Sequence, residues 1–121
     1  MKQEDAYLQE RMEMVFLYDF YGGLLKENAR QMLEAYICDD CSLREIAEAH
    51  GITRQGVHDA IKRASKQLLA YEQTLGLVQK FRSHKEIAKE IAHLVSGIQA
   101  EAYKDELEQI LQLTRQLAED V

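Results

Sequence analysis

Residues 42–66 read SLREIAEAHGITRQGVHDAIKRASK, and their pattern predicts two short helices joined by a tight turn. Ser42 and Glu45 form a capping box, in which the serine hydroxyl accepts the Glu45 backbone N–H and the glutamate carboxylate accepts the Ser42 N–H. A first helix therefore begins at Leu43. Gly51 ends it, because glycine adopts the left-handed conformation without a Cβ penalty, and Thr53 caps a second helix. The stretch has the form of a helix-turn-helix.

The second helix of this motif has an apolar inner face and a polar outer face. The inner face carries Val57, Ala60, Ile61 and Ala64 at helical spacing. In a helix-turn-helix, the N-terminal half of the second helix enters a major groove, where arginine matches guanine and glutamine matches adenine. The outer face carries Arg54, Gln55, His58, Asp59 and Lys62. We therefore predict base contacts from the capping residue and four residues of this face: Thr53, Arg54, Gln55, His58 and Lys62.

A second group of polar residues is placed to hold the DNA backbone. Helix N-termini and basic side chains contact phosphates, so we predict phosphate contacts from four residues: Ser42, Arg44, Arg63 and Lys66. Residues 54–66 carry four basic side chains against one acidic side chain, whereas the whole chain has a net charge of −6. The positive charge is therefore local, and a protein partner could use the same basic face.

The composition predicts an all-α protein. Proline is absent from the 121 residues and only 6 are glycine, so nothing interrupts the helical pattern for long. We expect residues 1–82 to form the helix-turn-helix domain with supporting helices, at about Tyr7–Tyr21 and Glu27–Ile37. Residues 83–121 would form a C-terminal helical extension and a candidate dimerisation segment.

The C-terminal part carries more apolar surface than its short helices can cover. The second motif helix should continue to Gly76, and Ser83 with Glu86 predicts a further helix start. Its apolar stripe is Ile87, Ile91, Leu94, Val95 and Ile98, and a last helix at about Tyr103–Ala118 has a similar stripe. A homodimer would bury both stripes. The alternative is a monomer whose C-terminal helices fold back on the N-terminal ones.

Several other classes of protein do not fit the sequence. No apolar run approaches the roughly 20 residues that span a bilayer, and residues 1–10 do not have the pattern of a secretory signal, so we expect a cytoplasmic protein without membrane insertion. No phosphate loop, nucleophile elbow or zinc-protease motif is present, so we expect no enzyme, no catalytic residue and no cofactor. The C-x-x-C pair Cys38 and Cys41 has no second pair to complete a zinc site, so we expect no metal and two reduced thiols.

Residues Leu17–Phe81 resemble the YlxM family of helix-turn-helix DNA-binding proteins, which are related in this region to region 4 of sigma factors. The resemblance is carried by Asp19-Phe20-Tyr21, Leu24-Leu25, Asp39-Asp40, Ser42-Leu43, Glu45-Ile46-Ala47, Thr53-Arg54-Gln55-Gly56-Val57, Ile61-Lys62-Arg63 and the segment Tyr71–Phe81. It implies a sigma-region-4-like fold. Because the family is usually encoded beside the signal recognition particle GTPase and its receptor, it also implies a role in that pathway.

Two functions follow from these expectations. The first is a regulatory protein that binds double-stranded DNA through the helix-turn-helix. The second is an adaptor that binds protein or RNA components of the signal recognition particle without reading DNA.

Overall fold

A computed structural model describes the backbone of residues 2–119 and the side chains from Glu10 to Glu119. This part of the chain contains six α-helices and no strand: α1 (Lys2–Tyr21), α2 (Glu27–Ile37), α3 (Leu43–His50), α4 (Arg54–Leu75), α5 (Leu77–Ser96) and α6 (Lys104–Glu119). Short 3₁₀ turns follow α1 at Gly22–Leu24 and precede α6 at Glu101–Tyr103. The chain divides into two compact units, Met1–Gly76 and Leu77–Val121. The all-α class is confirmed.

The first unit builds one core beneath the helix-turn-helix. α4 packs against α1, α2 and α3, and it contributes its inner face to the core. The buried apolar side chains of this unit are Leu17, Tyr21, Leu25, Met32, Leu33, Ile37, Ile46, Ala47, Val57, Ile61, Ala64 and Leu68. α1 and α2 therefore supply the apolar surface that two short motif helices could not bury between themselves.

The sequence predicts that α1 is buried along a stripe of apolar residues at helical spacing: Leu8, Met12, Val15, Phe16 and Phe20. The structure differs from this prediction at Met12. Met12 belongs to the apolar stripe of the sequence, but its side chain is 61% exposed, whereas Leu17 and Tyr21 are buried. Met12 precedes Leu17 by five residues and so lies about 140° around the helix from it. The side chain of Leu8, also assigned to the core, lies outside the described residues.

Polar contacts fix α1 against the other helices. Tyr21 is buried at the end of α1, and its hydroxyl donates to Glu72 Oε1 at 2.5 Å. Its ring lies 5.9 Å from that of Tyr71, between centroids. A buried hydroxyl needs such a partner, because an unpaired polar group in the core costs roughly 1–3 kcal/mol.

Arg11 of α1 holds the C-terminal end of α2. Its Nη2 donates to the Tyr36 carbonyl at 3.0 Å, to the Ile37 carbonyl at 3.3 Å and to Asp40 Oδ1 at 2.8 Å. The last carbonyls of a helix have no partner within the helix and carry partial negative charge, so a cation is favourable there. This contact holds the loop that leads into α3.

The second unit is a hairpin of α5 and α6, which pack along each other. Their connection is short, so the two helices run antiparallel. The helix start predicted at Ser83 is wrong, because α5 begins at Leu77 and passes through Ser83 without a break. Gly76, with a φ of 62°, ends α4, and residues 77–82 contain no breaker that would delay the next helix.

Candidate nucleic-acid interface

The corner between α3 and α4 has the predicted local structure. Ser42 Oγ accepts the Glu45 backbone N–H at 3.1 Å, and Glu45 Oε1 accepts the Ser42 N–H at 3.2 Å, so the capping box is complete. Gly51 ends α3 with a φ of 66° and a ψ of 32°. The Ile52 N–H then donates to the Ala47 carbonyl at 3.1 Å, which closes the turn.

α4 begins at the residue after Thr53. The Thr53 hydroxyl accepts the Gly56 backbone N–H at 3.0 Å and thereby caps the helix. Val57 is fully buried and Ile61 nearly so, which fixes the rotation of α4 about its axis. His58 and Asp59, which lie between them, are consequently exposed, whereas Ala60 is half-buried.

Three of the predicted base-reading residues lie together at the start of α4. Arg54, Gln55 and His58 line a shallow depression of about 420 Å³ with Leu43, the first residue of α3. The depression therefore lies where the two motif helices meet. Lys62 is exposed one turn beyond His58 and does not line it. Thr53 is exposed, but its hydroxyl is occupied by the helix cap.

Asp59, for which no role was predicted, also lies within this group. Its Oδ1 accepts a hydrogen bond from Gln55 Nε2 at 3.0 Å, and it lies 3.5 Å from His58 Nδ1. The first contact holds the Gln55 amide with its nitrogen toward the carboxylate. The four-residue spacing of Gln55 and Asp59 was the available signal, because side chains at i and i+4 are neighbours on a helix.

The predicted phosphate-contacting residues fall into two places. Ser42 and Arg44 lie at the start of α3, where the Ser42 hydroxyl serves the capping box and Arg44 Nε lies 3.4 Å from Glu48 Oε1. Arg63 and Lys66 lie farther along α4 and are exposed. All four are therefore accessible, at two separate parts of the motif.

The two cysteines form a poor reactive site. Cys38 and Cys41 are free thiols on the loop between α2 and α3. The pKa of the Cys38 thiol is raised, first by partial burial of its sulfur and then by the carboxylates of Glu34, Asp19 and Asp39. A raised pKa lowers the thiolate fraction and with it the reactivity. Among the described residues, no three histidine, cysteine or acidic side chains form a group that could hold a metal ion.

Comparison with known proteins shows the family to which this chain belongs. The model of the family described as "Putative helix-turn-helix protein, YlxM / p13 like" matches residues 8–115. The chain belongs to this family. The resemblance to YlxM proteins predicted from residues 17–81 is thus confirmed, and the match extends beyond that stretch on both sides.

Relatives in the YlxM family cover most of the chain. A UPF0122 protein of Desulforamulus reducens is 37% identical over 112 residues, which are 93% of this chain and 96% of the relative. A UPF0122 protein of Bacillus velezensis is 40% identical over 94 residues, 78% of this chain and 86% of the relative. One from Caldanaerobacter subterraneus is 51% identical over 78 residues, 64% of each chain. No solved structure matches this YlxM-family chain.

None of the helices within residues 2–119 is both long enough and apolar enough to cross a membrane.

Proposed function

We propose that this YlxM-family protein is a DNA-binding regulator that reads double-stranded DNA with α4. The observation that carries the proposal is the group of Arg54, Gln55 and His58, exposed around one depression at the N-terminal end of the second motif helix. Helix-turn-helix proteins place this end of the helix in the major groove. The residue types are those that form hydrogen bonds with base edges.

Each residue has a role on this proposal. Arg54 would donate two hydrogen bonds to one guanine, and Gln55, oriented by Asp59, would pair with one adenine. His58 and Lys62 would contact neighbouring bases, and Thr53 would approach the groove at the start of the helix. The phosphate contacts would come from Ser42, Arg44, Arg63 and Lys66.

Charge predicts how tightly such a protein binds. Residues 54–66 have a net charge of +3, but residues 1–40 and 101–121 are acidic, with net charges of −5 and −4. Only a few phosphates can be neutralised, so affinity should be modest and should fall with salt with a slope set by that small number of contacts. The protein would act in the cytoplasm, as a homodimer whose two α4 helices read paired half-sites. The helix-turn-helix function lies in residues 1–82 on this view and the pairing function in residues 83–121.

A second candidate is an adaptor in the signal recognition particle pathway, bound to a protein or RNA component of the particle. One observation favours it: Asp59 places a carboxylate in the middle of the predicted base-reading group. A negative charge there opposes a phosphate backbone but suits a basic protein surface or a base amino group. The adaptor would use the basic residues of α4 without reading a DNA sequence.

A titration separates the two candidates. Labelled random double-stranded DNA and labelled signal recognition particle RNA are each titrated with the protein at low and at physiological salt, with fluorescence anisotropy as the readout. Salt-sensitive binding of DNA, followed by selection of a preferred site, supports the regulator. Binding of the RNA alone, or capture of the targeting GTPase without DNA binding, contradicts it.

A pair of charge-matched variants shows whether α4 is the surface used. Lys62→Ala removes a cation from the predicted interface, whereas Lys26→Ala removes an exposed cation just before α2. The proposal expects weaker DNA binding for the first variant and unchanged binding for the second. Equal effects of both would mean that binding is an unspecific response to total charge.

A further inference from the structure

The seam between α5 and α6 is built largely from small or partly polar side chains. On α5 it follows Phe81, Lys85, Ala88, Ala92 and Val95, and on α6 it follows Leu107, Leu111, Thr114 and Ala118; all nine are buried or half-buried. Ala88 and Thr114 are the most buried, and the Thr114 hydroxyl donates to the Leu111 carbonyl at 2.8 Å. Small residues at the seam let the two helices approach closely.

A second set of large apolar side chains lies outside this seam and is exposed. On α5 they are Ile87, Ile91, Leu94 and Ile98 just beyond its end, and on α6 they are Ile110, Leu113 and Leu117. Their exposed fractions run from 37% to 64%. The seven residues are together called the hairpin face. Four of them, Ile87, Ile91, Leu94 and Ile98, belong to the stripe predicted on α5, whereas the fifth member of that stripe, Val95, is half-buried in the seam.

The two stripes lie on the same side of the hairpin. On both helices, residues of the stripe directly precede residues of the seam, as Ile87 precedes Ala88 and Leu113 precedes Thr114. One residue corresponds to a rotation of about 100° around the helix axis. Because the two helices run antiparallel, these equal rotations turn both stripes toward the same side. A shallow depression of about 560 Å³ agrees, since it is lined by His84 of α5 together with Leu113 and Leu117 of α6.

The hairpin face has the size of an interface. Half-exposure of seven large side chains of roughly 150 Å² each leaves on the order of 500 Å² of apolar surface, before any flanking residue is counted. The largest apolar patch on a typical monomer is about 300–600 Å² and usually has a function, and one side of a standard protein interface is roughly 800 Å². The hairpin face alone therefore supplies more than half of what one side of a stable dimer needs, and the side chains that flank it add to this area.

We propose that the hairpin face binds the same face of a second copy of this chain, so that two hairpins form a four-helix bundle. This inference specifies the pairing that the proposed function uses. A two-fold dimer places a surface against itself, which suits a continuous apolar face shared by two helices. The acidic character of the chain as a whole does not oppose it, because the face itself is uncharged along its centre.

Charge selects the arrangement of the two copies. α5 holds four basic and two acidic side chains, a net charge of +2, and α6 holds two basic and four acidic ones, a net charge of −2. These net charges do not act across the hairpin face, because Arg82, Lys89 and Arg115 each follow a seam position and so lie on the side away from it. The outer rim decides instead: with α5 of one copy on α6 of the other, Glu86 and Glu90 would lie beside the neutral Gln109, Gln112 and Gln116 of the other copy. Packing α5 on α5 would bring the same two glutamates of each copy together.

The oligomeric state of the full chain tests the proposal. Light scattering after size exclusion should give twice the chain mass for the wild type at micromolar concentration. Leu94→Glu with Leu113→Glu should halve that mass at the same concentration, because two charges per copy would be buried in an apolar interface. Leu69→Glu is the matched control, since Leu69 is an exposed leucine of α4 in the first unit, and it should leave the mass unchanged. A monomeric wild type overturns the proposal, and so does a double variant that stays dimeric.

Disulfide trapping provides a readout that does not depend on a destabilised variant. Ile87 lies one turn beyond His84, and Leu113 lies one turn before Leu117, so the two are level on the hairpin face. In a background with Cys38→Ala and Cys41→Ala, chains carrying Ile87→Cys are mixed with chains carrying Leu113→Cys under mild oxidation. A covalent dimer should form in the mixture and in neither chain alone. If the single-variant samples form covalent dimers and the mixture forms no more of them, the α5-on-α6 arrangement is overturned.

The mass measurement tests the dimer and the DNA titration tests the proposed function, so either hypothesis can be refuted without the other. A chain that dimerises through the hairpin face and binds no DNA refutes the proposed function and leaves this inference standing. A monomer that binds DNA with salt sensitivity refutes this inference alone.

Discussion

At the scale of single residues, Asp59 decides how the predicted DNA-reading group is presented. Its carboxylate orients the Gln55 amide and lies near the His58 ring. A glutamine held in this way still has one amide hydrogen and its carbonyl oxygen available, which is the pair that adenine requires. On the proposed function, the carboxylate would reduce general attraction to phosphate and would fix the geometry of one specific contact.

Replacing Arg54 or Lys66 by alanine should have different effects on DNA binding. Arg54→Ala removes a base contact and should lower affinity for the preferred site by about 1–3 kcal/mol while it relaxes the preference at one base pair. Lys66→Ala removes a phosphate contact, so it should weaken binding to all sequences equally and reduce the salt slope by about one unit. Anisotropy titrations with the selected site and with single-base variants measure both effects. Equal losses on every sequence for both variants would contradict the assignment of Arg54 to base reading.

Glu27 should make the stability of the first unit depend on acid pH. Its pKa lies below the ordinary value of 4.5, because Arg30 donates to its carboxylate at 2.6 and 3.1 Å and Gln31 donates at 3.1 Å. The folded state therefore favours the ionised form. The resulting stabilisation is present above pH 4.5 and is lost as the pH falls through the lower folded pKa.

Glu27→Gln tests this dependence. Chemical denaturation should show the variant to be less stable than the wild type well above pH 4.5, with the difference closing as the acid limit is approached. A difference that stayed constant across the same pH range would mean that the contact acts through packing rather than through the charge of Glu27.

At the scale of helices, the seam of the second unit shows that apolar periodicity does not determine which face packs. Ile87, Ile91 and Leu94 give the strongest stripe of α5, yet the buried residues of this helix are Val78 and Ala88. The stripe predicts that a helix forms and that one of its faces needs a partner. It does not say whether the partner lies in the same chain.

Gly51 should be the most sensitive glycine of the helix-turn-helix. Its φ of 66° lies in the left-handed region, so Gly51→Ala should lower the free energy of unfolding by about 1 kcal/mol, although a Cβ there would meet no other atom. Gly23→Ala is the matched control, because Gly23 has no positive φ and also has open space around its Cα. Urea denaturation should show a change of less than about 0.5 kcal/mol for the control. Similar losses in both variants would show that the left-handed turn is not what the glycine provides.

At the scale of the whole molecule, pairing through the hairpin face would make stability depend on concentration. Dissociation of a dimer on unfolding links the midpoint to the amount of protein, so hundredfold dilution of the wild type should lower the Tm by several degrees. The Leu94→Glu and Leu113→Glu double variant should show the same Tm at both concentrations. Thermal melts followed by circular dichroism make the comparison, and a wild-type Tm that does not move with concentration would contradict the dimer.

The sequence by itself determined the features that depend on neighbouring residues. The capping box at Ser42, the left-handed Gly51, the Thr53 cap and the end of α4 at Gly76 are all local, because each involves backbone and side-chain atoms within a few residues. The outward direction of Arg54, Gln55 and His58 followed in the same way, from the inner positions of Val57 and Ile61.

The tertiary structure decided the features that depend on distant residues. Three features each depend on which helix lies opposite: the exposure of Met12, the contact of Arg11 with the end of α2, and the burial of Ala88 and Thr114 in the seam of α5 and α6. Helical periodicity identifies residues that share a face, but the free energy of packing depends on the shape of the partner surface. For that reason the sequence indicated that the C-terminal apolar stripes need cover, and only the folded hairpin showed which part of them is covered: Val95 is half-buried in the seam, whereas Ile87, Ile91 and Leu94 remain exposed.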